Sequence, residues 1–171
     1  PGLDLPFVHS SDELLSGEVN LSGRVVVIDN NGHWEGAGTA EFLAEQGCEV
    51  IVITPDSMVG GDIEDGTRTL FYSRAAIKGI TFNHGMVPKA IAFGRVTMRP
   101  VFSAAGTEDF GRYLLVEGEE KVVDGVAAVV AVIGRRSRED LYHLCRESEL
   151  LAGVTIRRVG DAVAPRLIES N

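Results

Sequence analysis

Three glycines that follow an apolar run are the residues of this chain whose type and spacing point most directly to chemistry. Gly32, Gly36 and Gly38 come after residues 24–29, a β-branched run that ends at Asp29. Glycines at a strand-to-helix turn let the backbone approach a pyrophosphate, and the free N–H groups and positive dipole end of the helix attract its charge. The segment therefore predicts the phosphate-binding turn of a dinucleotide-binding fold.

The spacing and the charge of this turn differ from the usual dinucleotide motif. That motif reads G-x-G-x-x-G directly after the strand, whereas this chain has G-x-x-x-G-x-G with Asp29 and Glu35 on either side. A carboxylate about 4 Å from a phosphate costs roughly 4 kcal/mol at an effective dielectric constant of 20. Two hypotheses stay open: the turn binds NAD(H), or it is retained only for packing.

The end of the second strand is the other position that a dinucleotide would contact. An acidic residue usually stands there and accepts a hydrogen bond from the adenosine ribose. This chain has Thr54 instead, with Asp56 two residues later and no following arginine for a 2′-phosphate before Arg68. The sequence therefore favours NAD over NADP.

The composition argues against several other functions. The 171 residues carry a formal net charge of -9, whereas nucleic-acid binding depends on basic groups that displace counterions from phosphates. No apolar run reaches the roughly eighteen residues of a membrane span, and no signal segment precedes the fold. Cys48 and Cys145 are the only cysteines, too few for a disulfide framework. We expect a soluble, cytoplasmic protein that binds neither nucleic acid nor membranes.

Catalytic and metal-binding residues are not predicted in this chain. The four histidines have no ligand-like spacing, and the two cysteines lack the C-x-x-C spacing of metal sites. Serine, histidine and aspartate occur without a nucleophile motif such as G-x-S-x-G. Trp34, inside the glycine turn, could either cover a nucleotide or fill an empty pocket.

The glycine turn needs a strand before it and a helix after it, and the sequence predicts both. Residues 24–29 are typical of a strand buried on both faces of a parallel sheet. Residues 36–46 predict a helix with Ala37, Ala40, Leu43 and Ala44 on one face, ended by Gly47. Residues 49–54 repeat the buried-strand pattern, which completes a βαβ unit.

The remaining elements extend this unit into a larger sheet. Thr67 is expected to cap a helix through Lys78, with Leu70, Phe71 and Ile77 buried, before a short strand at residues 80–83. Short extended runs at residues 90–93, 96–102 and 112–116, separated by glycines, predict an antiparallel meander. The pattern then predicts a central strand at 125–134, a helix at 138–147 with Leu141 and Leu144 buried, and a strand at 156–159. The fold class is α/β, a Rossmann-like parallel sheet with an inserted antiparallel β-meander.

Three segments resemble one family of flavoproteins. They are the turn at residues 29–36, Val-Ile-Gly-Arg-Arg-Ser at 132–137 with Asp-Leu-Tyr at 140–142, and Val-Gly-Asp-Ala-Val-Ala-Pro-Arg at 159–166. Together they look like the C-terminal region of old-yellow-enzyme-type oxidoreductases, which include 2,4-dienoyl-CoA reductase, trimethylamine dehydrogenase and amine demethylases. The first segment points to the amine-dehydrogenase or demethylase side of this family.

The resemblance implies a domain organisation. Such proteins carry an N-terminal TIM barrel with FMN, a four-cysteine iron–sulfur cluster and a glutathione-reductase-like pair of nucleotide domains with NAD(P) and FAD or ADP sites. Residues 23–134 correspond to the NAD(H)-type domain. Residues 1–22, read as an incoming linker with a helical turn at 12–15, and residues 135–171 correspond to flanking pieces of the FAD- or ADP-type domain. Both chain ends look cut, so we expect a longer polypeptide whose barrel and cluster lie outside this chain.

The resemblance also implies a function. The chain would be a C-terminal fragment of an NADH-dependent or amine-oxidising flavin oxidoreductase, serving electron transfer to or from flavin in the absent domains, with an electron-transfer protein as a further partner. In the trimethylamine dehydrogenase branch the corresponding domain lacks a working nucleotide turn, because electrons leave through the cluster to another protein. The alternative is therefore a non-catalytic scaffold domain with a vestigial nucleotide site.

Individual residues acquire binding roles from the same resemblance. Gly160 and Asp161 match the position whose aspartate meets flavin ribityl or nucleotide phosphate oxygens, and residues 164–166 open the helix aimed at it. Gly134 matches the glycine at the crossover between the two domains. Gly32, Gly36 and Gly38, together with Thr54, correspond to the nicotinamide-nucleotide site.

Overall fold

A seven-stranded mixed sheet lies in the first of the two units into which the chain divides, Pro1–Ile133 and Gly134–Asn171. The computed structural model describes residues 1–101, 119–134 and 137–163. The predicted strand at 112–116 and the predicted helix start at 164–166 lie outside the described residues. No described helix is both long and apolar enough to cross a membrane.

The first unit alternates strands and helices before it enters a meander. Its elements are β1 Val8–Ser10, α1 Ser11–Leu15, β2 Arg24–Asp29, α2 Trp34–Glu45, β3 Glu49–Ile53, α3 Asp65–Ile77, β4 Thr81–Asn83, β5 Met86–Ala92, β6 Gly94–Pro100 and β7 Lys121–Val132. The strand order is β4-β3-β2-β7-β6-β5, and β1 also pairs with β7. Strands β1 to β4 pair in parallel with their neighbours, whereas the β5–β6 and β6–β7 pairs are antiparallel. The predicted Rossmann-like fold with an inserted meander is confirmed.

Strand β2 is buried on both faces because α-helices cover one side of the sheet and the meander covers the other. Val25 and Val27 pack with α2 and α3 in one core. Val26 and Ile28 pack with residues of β5 and β6 in a second core. The small residues Ala37 and Ala40 of α2 are fully buried, so this helix lies close against the strand that leads into it.

Strand β7 begins earlier than predicted, at Lys121 rather than residue 125. Its first half pairs with β6, and its second half pairs with β2. Gly125 has φ +71 and lies where the pairing with β6 shifts register, between Asp124 and Val126, which is a position that glycine tolerates in a bulged strand. One continuous strand therefore joins the meander to the parallel sheet.

Helix α3 differs from its prediction at the cap and on its exposed face. Glu64, not Thr67, is the N-cap: its carboxylate accepts hydrogen bonds from the Gly66 and Thr67 N–H groups, each at 2.9 Å. A carboxylate serves here because it meets the positive end of the helix dipole. Phe71 is buried as predicted, but Leu70 and Ile77 are 60% and 87% exposed, so their predicted burial is wrong.

The N-terminal segment contributes a strand that the sequence pattern did not predict. β1 pairs with residues 129–131 of β7, and α1 follows it with a reciprocal cap between Ser10 and Glu13. The helical turn expected at residues 12–15 is confirmed. The assignment of residues 1–22 to a neighbouring FAD-type domain stays a prediction.

The second unit contains α4 Asp140–Glu147 and two 3-10 helices, Glu149–Leu151 and Gly160–Ala162. Leu141 and Leu144 are 73% and 66% exposed, so their predicted burial is wrong for this chain. Residues 156–159 do not form the predicted strand. No side chain described between residues 137 and 163 is buried, because a segment of this size has too little apolar surface to form a core of its own.

Candidate nucleotide-binding turn

The glycine turn lies at the carboxyl end of β2, the edge of an α/β sheet at which ligands bind. β2 ends at Asp29, and α2 begins at Trp34. Between them Gly32 has φ +68, a left-handed conformation that glycine adopts without strain. The turn therefore stands where the sequence predicted it.

Asp29 occupies the interior of this turn. Its side chain is fully buried, and its Oδ1 atom accepts hydrogen bonds from the backbone N–H groups of Asn31 at 3.1 Å and Gly32 at 3.2 Å. Such backbone N–H groups are the donors that a pyrophosphate uses at a turn of this kind. The chain's own carboxyl group thus takes the place of an anion at two of these donors.

Gly36 allows the first turn of α2 to approach Asp29. A Cβ atom at residue 36 would lie 2.3 Å from Asp29 Cγ and 2.4 and 2.7 Å from its two oxygens. Gly38 has no comparable neighbour, because a Cβ atom there would meet nothing within 4 Å. At residue 36 the neighbouring atoms leave no room for a side chain, whereas at residue 38 they do. The group that lies so close to Gly36 is a carboxyl group of the same chain.

Glu35 ties the turn to α1. Its Oε1 atom accepts a hydrogen bond from Ser11 Oγ at 2.6 Å, and its Oε2 atom accepts one from Asn31 Nδ2 at 3.0 Å. A negative charge in the first turn of a helix is favourable because it faces the positive end of the dipole. A second internal carboxylate therefore lies at the helix end that would face a phosphate.

The loop that joins β3 to α3, residues 54–64, lies against the same turn. The Asp62 N–H donates to the Gly32 carbonyl at 2.9 Å. A Cβ atom on Gly32 would be 3.1 Å from Asp56 Oδ2 and 3.8 Å from Asp62 Oδ2. Two more carboxylates therefore surround the glycine at the centre of the turn.

Buried side chains hold this loop in place. Val59 and Ile63 are 0% and 4% exposed and belong to the core that also contains Ala37. The Val59 N–H donates to Tyr72 Oη on α3 at 2.9 Å. The loop is thus part of the packed structure, and moving it away from the turn would expose apolar surface.

Thr54, the predicted ribose-contacting position, is fully buried at the start of the loop. Its Oγ1 atom accepts a hydrogen bond from the Asp56 N–H at 3.2 Å, and its carbonyl accepts one from the Met86 N–H at 2.8 Å. The side chain is therefore used within the loop. Trp34 is partly buried and packs against the first core, the packing alternative that the sequence left open.

The electrostatic surroundings of Asp29 are unfavourable to charge. Burial raises the pKa of the Asp29 carboxyl, the N–H groups of Asn31 and Gly32 oppose this rise, and the charges of Asp56 and Glu35 add to it. Asp29 Oδ2 is buried, and within the described part of the chain no group donates a hydrogen bond to it. An incoming phosphate would meet the same negative groups.

The other predicted binding residues belong to the second unit. Gly134 is its first residue, and Gly160 and Asp161 lie in its last 3-10 helix. Gly160 has φ +59, and its carbonyl accepts a hydrogen bond from the Val163 N–H at 2.9 Å. In the described parts of the chain, no three His, Cys, Asp or Glu side chains are placed to hold a metal ion.

Residues that the sequence analysis did not single out complete the site. Asp62, Ser11 and Tyr72 reach the turn or its covering loop through contacts 13 to 30 positions distant along the chain, such as Ser11 to Glu35 and Tyr72 to Val59. No local pattern signals such contacts. Asp29 and Glu35, in contrast, were identified by their charge inside a glycine turn.

The chain is similar in sequence to a curated reductase and in fold to solved oxidoreductases. No protein-family model matches the chain. Cinnamate reductase of Clostridium sporogenes is 28% identical over 159 residues, which are 91% of this chain and 20% of that protein. The chain therefore spans about a fifth of the length of this curated relative.

Two solved structures are similar over nearly the whole chain. The 6-hydroxypseudooxynicotine amine oxidase of Pseudomonas geniculata N1 has a TM-score of 0.79 at 24% identity, covering 97% of this chain and 23% of its own. Histamine dehydrogenase of Rhizobium sp. 4-9 has a TM-score of 0.74 at 25% identity, covering 94% and 24%. The relatives of this chain are thus oxidoreductases of the old-yellow-enzyme and trimethylamine-dehydrogenase type, the family that its three sequence segments resemble.

Proposed function

We propose that this chain is the nucleotide-binding-like region of a larger flavin-dependent oxidoreductase, and that its glycine turn is closed to NAD(H). In this proposal the domain acts as a scaffold for the flavin- and substrate-binding parts of the protein. The similarity to cinnamate reductase and histamine dehydrogenase supports the oxidoreductase assignment. The share of those proteins that the chain covers leaves room for a barrel with FMN and an iron–sulfur cluster.

One observation carries the closed-turn proposal: Asp29 Oδ1 accepts hydrogen bonds from both the Asn31 and the Gly32 N–H groups. A phosphate could use these donors only after the Asp29 side chain had left its buried position. It would then lie beside Glu35 and Asp56, and each carboxylate at about 4 Å adds roughly 4 kcal/mol of repulsion at an effective dielectric constant of 20. This repulsion outweighs the contribution of a helix N-terminus, which is about 1 kcal/mol.

The second unit supports a scaffold role in a longer protein. Leu141 and Leu144 lie three residues apart on α4 and are 73% and 66% exposed, and Leu150 is 95% exposed. Neighbouring exposed apolar side chains on one helix face mark surfaces that pack against other protein. We propose that this surface packs against the rest of the FAD- or ADP-type domain, to which residues 135–171 would belong. Gly160 and Asp161 would then bind FAD or ADP in that domain, and Gly134 would mark the crossover.

Titration calorimetry and thermal unfolding with NADH, NADPH, ADP and FAD test this proposal. We expect neither heat nor a shift in stability from NADH or NADPH. A binder at 100 times its dissociation constant would raise the free energy of unfolding by about 2.7 kcal/mol. Saturable NADH binding that disappears when Gly32 is changed to a bulkier residue would overturn the closed turn.

A double variant, D29G/E35A, separates the two ways in which the turn could be closed. If Asp29 and Glu35 alone exclude the nucleotide, this variant gains NADH binding. If the loop of residues 54–64, with Asp56 and Asp62, also excludes it, the variant does not bind NADH. Either outcome for the variant is compatible with the scaffold role, whereas binding of NADH by the unmodified chain is not.

The second candidate function is delivery of hydride from NADH to flavin through this turn. The identity to a reductase over 91% of the chain favours it, since a reductase needs a source of electrons. The same NADH titration decides between the candidates, because a hydride-delivering domain must bind NADH reversibly at the turn.

A further inference from the structure

The two oxygens of the Asp29 carboxyl group have different surroundings. Oδ1 accepts two backbone hydrogen bonds, whereas Oδ2 is buried and has no hydrogen-bond partner among the residues that the structure describes. An ionised carboxylate oxygen that is buried without a donor is costly, and neutralisation by a proton removes most of that cost. The surroundings of Oδ2 therefore favour the uncharged acid over the carboxylate.

Negative or titratable groups face Asp29 from each element around the turn. Glu35 lies on the first turn of α2, next to the N-cap His33, and Asp56 and Asp62 lie on the loop after β3. Tyr72 lies on α3, and burial raises the pKa of its hydroxyl; the Val59 N–H and Arg68 oppose this rise, and a charge on Asp29 would add to it.

The guanidinium of Arg68 on α3 is bonded to groups other than Asp29. Arg68 Nη1 donates to the carbonyls of Gly61 and Ile63, at 3.2 and 2.7 Å, and a second nitrogen of the same side chain pairs with Asp65. Asp29 takes part in none of the ion pairs found within the described ranges. Ionisation of Asp29 would therefore place an unpaired charge beside other negative charges.

We propose that Asp29 is a proton-operated latch: its uncharged carboxyl group keeps the glycine turn closed, and its ionisation loosens the turn and the loop of residues 54–64. The latch rests on the closed turn of the proposed function but acts without any nucleotide. The first contact to weaken is the hydrogen bond from the Asp62 N–H to the Gly32 carbonyl, because Asp56 and Asp62 lie on the loop that the new charge repels.

The direction of the pH dependence follows from the raised pKa of Asp29 in the closed turn. The closed form binds the proton more tightly than the open form. The free-energy advantage of the closed form that comes from this proton is therefore complete below the ordinary aspartate pKa of 3.8. That advantage is lost as the pH rises through the raised pKa of the closed form. Within this window the population of open turns increases up to tenfold per pH unit.

Amide hydrogen exchange of Asn31, Gly32 and Asp62 as a function of pH, corrected for intrinsic exchange rates, tests the latch. In the unmodified chain we expect protection to fall by up to tenfold per pH unit across the window. In D29N, whose side-chain oxygen can accept the same two hydrogen bonds without charge, protection stays constant. A flat profile in the unmodified chain, or a D29N profile that follows it, overturns the latch.

A surface variant gives a second readout that does not disturb the buried site. D56N removes an exposed charge that raises the pKa of Asp29 in the closed turn, so the fall in protection should end at a lower pH and be smaller in total. D140N, on α4, should leave the profile unchanged, and an unshifted D56N profile would contradict the latch. Because no nucleotide is present, a flat profile removes the latch alone, whereas NADH binding in the separate titration removes the closed turn.

Discussion

Gly36 and Asp29 form a contact that no side chain at residue 36 would permit. An added Cβ atom would lie 2.3 Å from Asp29 Cγ, closer than non-bonded carbon atoms approach. The carboxyl group of Asp29 is thus enclosed between the turn N–H groups and the first turn of α2. Asp29, which distinguishes this turn from the usual dinucleotide motif, is therefore also part of the packing of α2 against β2.

Replacement of this glycine by alanine should therefore destabilise the fold. We expect G36A to lower the free energy of unfolding by about 1–3 kcal/mol, because overpacking outweighs the gain in helix propensity. G38A is the matched control: its Cβ would meet no atom within 4 Å, so the variant should be stabilised by about 0.5–1 kcal/mol. Urea unfolding measures both, and a stabilised G36A would contradict the observed contact.

The order of elements in the first unit was predictable because local patterns encode it. Residues 24–29 are a β-branched run that only a strand buried on both faces accommodates, and Gly47 ends α2 with φ +85. The predicted strand at 156–159 and the predicted burial of Leu141 and Leu144 failed for another reason. Between residues 137 and 163 no described side chain is buried, so these apolar patterns have no core to pack against within that part of the chain.

The hydroxyl group of Tyr72 should contribute to the closure of the turn through the loop after β3. Y72F removes the acceptor of the Val59 N–H, which belongs to a fully buried residue. We expect a loss of about 1–3 kcal/mol in the free energy of unfolding, the cost of an unsatisfied buried donor. Y142F removes a hydroxyl that accepts a hydrogen bond from the exposed Arg146 at 3.3 Å, and this variant should change stability by less than about 0.5 kcal/mol. Equal effects of the two variants would show that the loop is not held in this way.

Glu41 should make the pairing of α2 with α3 sensitive to acid. Hydrogen bonds from Arg74 and Lys78 lower the pKa of Glu41 to about 2; Arg74 Nη2 and Lys78 Nζ lie 3.0 and 2.7 Å from its oxygens. Because this pKa is lowered, the stabilisation is complete above the ordinary value of 4.5 and is lost as the pH falls towards 2.

The variant E41Q should therefore unfold more easily at neutral pH, by about 1 kcal/mol as for a surface ion pair, and should lose the pH dependence between 4.5 and 2 that Glu41 contributes. E45Q is the matched control, because Glu45 accepts a hydrogen bond from Lys78, on the same two helices, but is 58% exposed. Denaturant titrations at several pH values distinguish the two. An acid profile of E41Q that coincides with that of the unmodified chain would contradict the assignment.

The candidate site was only partly predictable. The charges of Asp29 and Glu35 could be read from the chain because they interrupt a motif whose ligand is itself negative. The path of the loop through Val59 and Ile63 could not, because it depends on packing against α2 and Tyr72, which are distant in sequence. Glu64 in place of Thr67 as the cap of α3 shows the same limit, since threonine is a preferred N-cap residue and glutamate is not, so the course of the backbone overrides the local preference.

The central claim is that Asp29 holds the turn N–H groups that a dinucleotide would need. A ¹H–¹⁵N NMR titration of the chain with NADH observes those groups directly, through the backbone resonances of Asn31 and Gly32. The closed turn predicts that both resonances stay unchanged as NADH is raised to millimolar concentration. A saturable shift of these two resonances, with other residues of the turn following the same curve, would show that NADH displaces Asp29 and would contradict the account.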